Sequence, residues 1–205
     1  MCIITISRRS CYTRGRQIAE LAAEKLGYEA VSRGMLLKSS EKFNVPEAQL
    51  VGTTDDGGAY LERIAQIKDE YKALMQPTFL EHAKRNNIVY HGLAGHLMLP
   101  DVGHVLRVCV LASMQLRLQM VMRQYPISET KALKIIERMD NDRRQWTLTI
   151  WGEDPWNLDS YDLVVRVDRL SLEGAADVIC QAAQLEEFQV TPDSEKALED
   201  LLLSS

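Results

Sequence analysis

The residues best placed to do chemistry stand in one turn: Ser10, Cys11, Tyr12, Thr13, Arg14, Gly15, Arg16 and Gln17, with Arg8 and Arg9 just before them. They follow the β-branched run "CIITIS" and precede "RGRQIAELAAEKLG", where Ile18, Leu21, Ala22 and Leu26 recur at helical spacing until Gly27 ends the pattern. A strand, a turn and a helix opening at Arg14 or Gly15 bring backbone N–H groups and the positive end of a helix dipole to one spot, which suits a phosphate. Against the phosphate-cradling spacing GxxxxGK followed by Ser or Thr, only the second glycine is kept, as Gly15. Arg16 takes the lysine place with a planar fork in place of a compact ammonium, and Gln17 offers no hydroxyl to Mg²⁺. Two readings stand side by side: a phosphate site, or a basic turn whose arginines are solvated.

A second basic pair, Arg143 and Arg144, lies beside Asp140 and Asp142. As ion pairs on a helix surface these would each be worth some tenths of a kcal/mol. As a clamp they would neutralise a moving phosphoryl group, the service that supplies most of the catalysis in phosphoryl transfer. Arg117, on the helical stretch after the fourth strand, reads as part of a solvated face. His91, His96 and His104 lack ligand spacing and no metal centre is expected; His91 and Gly92, in "YHGLAGH", stand where a strand runs into a glycine-containing turn. Cys11 sits in an arginine-rich turn at a helix start, an environment that lowers a thiol pKa, and reads either as a redox-sensitive thiol or as a small residue tolerated in a turn. Trp146, Trp151 and Trp156 either stack on a base or form an apolar patch, which makes a homodimer a candidate arrangement.

The elements that must position these groups alternate. β-Rich runs at 2–7, 28–32, 87–92, 105–112 and 161–167 are separated by helical patterns, and several are apolar on both faces. The fold class is therefore α/β, doubly wound around a mostly parallel five-stranded sheet. One domain over 1–185 is expected, with a helical acceptor-binding insertion at 33–86, a lid region at 128–160, and a C-terminal tail or short helix at 186–205 capped by Thr191 or Asp193. Ser171 is the expected N-cap of the helix before that tail. A net charge of −5 argues against a general nucleic-acid surface and leaves any anion site to local arginines. No apolar run approaches the roughly 20 residues that span a bilayer. Four cysteines without CxxC spacing, and no signal-like apolar start, point to a reducing cytoplasm.

The stretches "ITIS", "RGRQIAELAAEKLGYEAVSRGMLLK", "PDVGHVLRVCVLASMQLRLQMVM", "ISETKALKIIERMDNDRR" and "YDLVVRVDRLSLEGAADVI" resemble, in order and spacing over about residues 2–182, the cytidylate-kinase-like family of P-loop proteins. The resemblance implies a P-loop fold, ATP with Mg²⁺, and a small acceptor, with a nucleoside monophosphate such as CMP the leading candidate. It assigns the phosphates to Ser10–Gln17, the acceptor to Arg33, Lys38, His91 and Gly92, and catalysis to Arg16, Arg143 and Arg144. Where relatives carry "DGRD" this chain has His91, Gly92, Leu93 and Ala94. That change keeps a second function open: a catalytically weakened nucleotide- or anion-binding regulatory module.

Overall fold

The computed structural model describes residues 2–39, 68, 71–73 and 75–204, with the side chains of 37–39 outside that description. Five strands form one sheet: β1 (Ile3–Ser7), β2 (Glu29–Ser32), β3 (Ile88–Gly92), β4 (Val105–Leu111) and β5 (Leu163–Arg166). Their order is β2-β3-β1-β4-β5 and every pairing is parallel. β1 is central and wholly buried, with Ile3 opposite Ile88 and Val105 and Ser7 opposite Gly92 and Cys109. The expected doubly wound α/β sheet is thus present.

Burial on both faces explains the near-continuous apolar runs. On one face Ile18, Ala19 and Ala22 of α1 (Gly15–Leu26) and Ile179 of a later helix pack with Ile4, Ile6 and Val108. On the other, Ile3, Ile88 and Tyr90 meet Leu36 of α2 (Arg33–Ser39) and Phe79 of helical residues 75–83, here α3. Residues 40–67, 69–70 and 74 of the 33–86 insertion lie outside the described residues. α4 (Met114–Gln124) starts at Ser113, whose hydroxyl accepts from the Leu116 N–H. α5 (Glu129–Trp151) is continuous for 23 residues, about 34 Å at 1.5 Å per residue, and starts on Ser128. Its first half joins Cys11 and Val121 through Ala132 and Ile136, and its second half enters the β3-side core through Trp146 and Ile150.

Ser171 caps α6 (Leu172–Ala183) as the sequence predicts, accepting from the Gly174 N–H at 2.9 Å. Thr191 rather than Asp193 caps α7 (Pro192–Ser204), its hydroxyl accepting from the Ser194 N–H at 3.2 Å. The peripheral composition of the tail conceals a docked helix: Leu198 is buried in the β3-side core. Among the described residues no helix is long and apolar enough to cross a membrane.

Candidate functional site

The chain leaves the carboxyl end of β1 into the Arg8–Arg14 turn, then enters α1. Tyr12 and Arg14 adopt left-handed φ values of 55° and 58°, which curl the backbone before the helix begins. Gly15 is required by contact: a Cβ there would lie 2.6 Å from Cγ of Arg8. The first turn of α1 holds no acidic residue, and Arg14 makes no side-chain capping bond. The helix end therefore keeps its positive character.

Two clefts open at this end of the sheet. The first, about 430 Å³, is bordered by Ser32, Arg33, His91 and Gly92; the second, about 540 Å³, by Cys11 to Arg14 and Gln17. Arg8, Arg16, Glu20 and Arg143 line both and so mark their junction. Parallel α/β folds place ligands at such a position, beyond the carboxyl ends of strands where the chain order reverses. Arg16 is well exposed and donates from Nε to Oε1 of Glu20 at 2.8 Å. Gly92 matters for space, since a Cβ would meet the Tyr90 hydroxyl at 2.5 Å. Lys38 falls in α2, and its side chain lies outside the described portion.

Arg143 and Arg144 diverge. Arg143 lines the clefts, whereas Arg144 donates to Asp154 from Nε at 3.1 Å and from Nη2 at 2.6 Å. The Arg144 guanidinium also stacks 4.5 Å from the Trp156 ring, which has Arg9 5.3 Å from its centre. That hydrogen bond from Arg144 holds the Asp154 carboxyl below its ordinary range. The acidic neighbours named in the sequence have other partners: Asp140 pairs with Arg117, and Asp142 lies 3.9 Å from Arg138.

One sequence expectation is corrected here, and one of the two readings of Cys11 is removed. Arg117 is 5% exposed, not solvated. It donates from Nε to the Cys11 carbonyl at 2.9 Å and from Nη2 to Asp140, whose other oxygen accepts the Cys11 N–H at 2.8 Å. Its place four residues before buried Val121 is the sequence signal that was available. Cys11 is 1% exposed, and burial pushes its thiol up to about 11, so desolvation outweighs the nearby arginines. The tryptophans form no common patch: Trp146 is core, edge-on to Tyr71 at 5.2 Å, while Trp156 lies between Arg9 and Arg144.

His96 is buried beside Tyr161, with Nδ1 3.1 Å from the Ser7 hydroxyl, and burial lowers its pKa to about 4. His104 faces Ser194 at 2.8 Å. Among the described residues no three His, Cys, Asp or Glu side chains converge as a metal site. Sequence patterns gave no sign of Glu20 at the cleft junction or of the rings around Arg33, because both depend on contacts between distant elements.

The model of the cytidylate kinase-like family matches residues 3–169. No curated protein matches the chain. An uncharacterized protein from Eubacterium ventriosum ATCC 27560 has the same fold, with a TM-score of 0.63 at 17% identity over 89% of this chain and 98% of that one. TT1252 from Thermus thermophilus (17% identity, 90% of this chain and 97% of that one, TM-score 0.49) is a more distant likeness. So is dephospho-CoA kinase from Campylobacter jejuni (9% identity, 87% and 95%, TM-score 0.45), and neither bears on activity here.

Proposed function

We propose, from the premise that this chain belongs to the cytidylate kinase-like family, that it transfers the γ-phosphoryl group of ATP to a small acceptor, a nucleoside monophosphate such as CMP. The observation that carries this reading is the pair of clefts joined by Arg8, Arg16 and Arg143. One cleft lies against the turn and the start of α1, suited to the donor triphosphate; the other, by α2 and the end of β3, takes the acceptor. An acceptor phosphate oxygen attacks the γ-phosphorus, its bond to the bridging oxygen breaks, and ADP leaves with the electron pair. Arginines at the junction hold donor and acceptor in line and neutralise charge as it spreads over the transferred group.

ATP fits these arginine-lined clefts. Mg²⁺ typically binds through substrate phosphates, water and one or two carboxylates, and Glu20 is a carboxylate lining both clefts. The metal would shield charge on the phosphates. A lid movement of 128–160 belongs to the same proposal: α5 carries Arg143, and its closure would exclude water from the transfer. A panel of nucleoside monophosphates incubated with ATP and Mg²⁺ tests the function through ADP release and acceptor phosphorylation. Transfer to one of them is expected. Tight nucleotide binding without transfer to any acceptor would instead favour the regulatory module, which the replacement of the loop lysine and hydroxyl by Arg16 and Gln17 supports.

A further inference from the structure

Trp156 is presented by a turn that its own sequence dictates. Asp154, Pro155, Trp156 and Asn157 put a proline at the second turn position, and the Asn157 N–H closes the turn on the Asp154 carbonyl at 3.0 Å. One Asp154 carboxylate oxygen accepts the Trp156 N–H at 3.0 Å, while the same carboxylate takes two bonds from Arg144, from Nε at 3.1 Å and from Nη2 at 2.6 Å. From the other side the Tyr161 hydroxyl donates to the Pro155 carbonyl at 3.2 Å. The indole leaves this scaffold with its Nε1–H donating to the Arg9 carbonyl at 3.3 Å, across 147 positions of sequence. The guanidinium groups of Arg144 and Arg9 lie 4.5 and 5.3 Å from the ring centre. Backbone and side chain of Arg9, at the entry to the basic turn, are thus held by one ring.

That turn needs holding. Tyr12 and Arg14 stand at φ 55° and 58°, a region that glycine enters freely and that bulky residues keep only where their surroundings over-determine it. Ser10 stands at the first glycine of the phosphate-cradling spacing, so the turn cannot relax there as a glycine would. Distant anchors supply the constraint instead: Trp156 at Arg9, and Asp140 with Arg117 at Cys11. Asp140 and Arg144 are four residues apart on α5, so both anchors lead back to neighbouring positions on one helix, the helix that also carries Arg143 into the clefts. Between Ser10 and Arg14, among the described residues, the Cys11 N–H alone meets a protein acceptor. The N–H groups of Tyr12, Thr13 and Arg14, which border the second cleft, stay open to a ligand. A cradle of backbone donors binds an anion best when its curvature is fixed before the anion arrives.

We propose that Trp156 is a positioning residue for the donor's phosphates, fixing the basic turn through the Arg9 carbonyl, and that Arg144 and Asp154 act through Trp156 rather than on the transferred group. The proposal rests on the reading of the second cleft as the donor site. It moves Arg144 from clamp to support and leaves Arg143 as the α5 cation at the transfer point. Damage to the support should therefore weaken donor binding, and leave acceptor binding and the chemical step of the bound complex largely intact.

Calorimetry of the full chain with a non-hydrolysable ATP analogue, tripolyphosphate and CMP tests it, alongside steady-state kinetics. Trp156→Phe keeps a ring but removes the Nε1–H. It should weaken the analogue and tripolyphosphate by about 3- to 10-fold, raise KM for ATP to match, hold kcat within about twofold and leave CMP unchanged. Trp156→Leu, which also loses the stacked cations, should weaken the two phosphate ligands by about 10- to 50-fold. Asp154→Asn keeps the indole but loosens Arg144; it should fall between wild type and Trp156→Phe, and it guards against misfolding of the leucine variant. If Trp156→Phe and Asp154→Asn bind both phosphate ligands as wild type does, the positioning role is overturned and the kinase reading stands. Equal losses for CMP and the analogue would mean general loosening and overturn it too. So would an Arg144→Gln variant with lowered kcat and unchanged KM for ATP, because Arg144 would then act on the transferred group itself. Wild type that binds neither the analogue nor tripolyphosphate would overturn the donor-site reading and the proposal with it. Binding without turnover of any acceptor would overturn the kinase reading alone, and the expected losses in the Trp156 variants would then still establish the positioning role.

Discussion

The carboxylate of Asp140 accepts a hydrogen bond from the Cys11 backbone N–H at 2.8 Å, across 129 positions of sequence. Arg117 closes the arrangement by donating to both the Cys11 carbonyl and Asp140. The turn after β1 is therefore braced by α4 and α5.

Removing one member of this buried pair leaves the other charge uncompensated. Asp140→Ala should lower stability by about 3 to 5 kcal/mol, read by urea unfolding. The double replacement Asp140→Leu with Arg117→Met should cost less than the sum of the single changes, because no orphaned charge remains. Additive losses would show that the pair does not act as a unit.

Arg143 and Arg144 should separate in kinetics. Arg143→Gln is expected to lower turnover by about 100-fold or more, since it lines both clefts where charge must be neutralised. Arg144→Gln, whose guanidinium is engaged with Asp154 and Trp156, should change turnover far less. Hydrogen exchange across 137–156 with and without an ATP analogue tests the lid: protection should rise on saturation.

Stability should fall on mild acidification. His96 is held neutral by burial, its pKa lowered from 6.5 to about 4, so the unfolded chain binds the extra proton between those values. Stability is then fully present above about pH 6.5 and is lost as the pH falls toward 4, by up to about 3 kcal/mol from this residue. His104, also lowered by burial, acts in the same direction. Urea unfolding at several pH values should show a shallower slope for His96→Gln than for wild type.

The thiols should be silent in the native state. Cys2, Cys11, Cys109 and Cys180 are all buried, and burial raises the pKa of Cys11 and of Cys2 to about 11. At pH 8 only about one in a thousand such thiols is ionised, so an aromatic disulfide reagent should react slowly until denaturant is added. A fast native reaction at Cys11 would show that the turn opens.

The order of strands and helices, the stop at Gly27, the cap at Ser171 and the basic turn itself were legible in the sequence, because each depends on periodicity or on residues within one or two turns of chain. The family, too, was legible, as ordered local stretches. What only the tertiary structure decided is which charges meet. Asp140 looked like a neighbour of Arg143 and Arg144, but the rotation of α5 turns it toward Arg117 and Cys11. Cys11 could be read as a thiol activated by arginines or as a small turn residue, and packing with Ile136 and Val121, which removes it from water, decides for the second. Arg33 was assigned to the acceptor by the family resemblance alone, and its burial beside Tyr71 and Trp146, from two other segments, was not legible. Local propensity acts along the chain, whereas desolvation and pairing of a charge depend on whatever the fold brings to it from elsewhere.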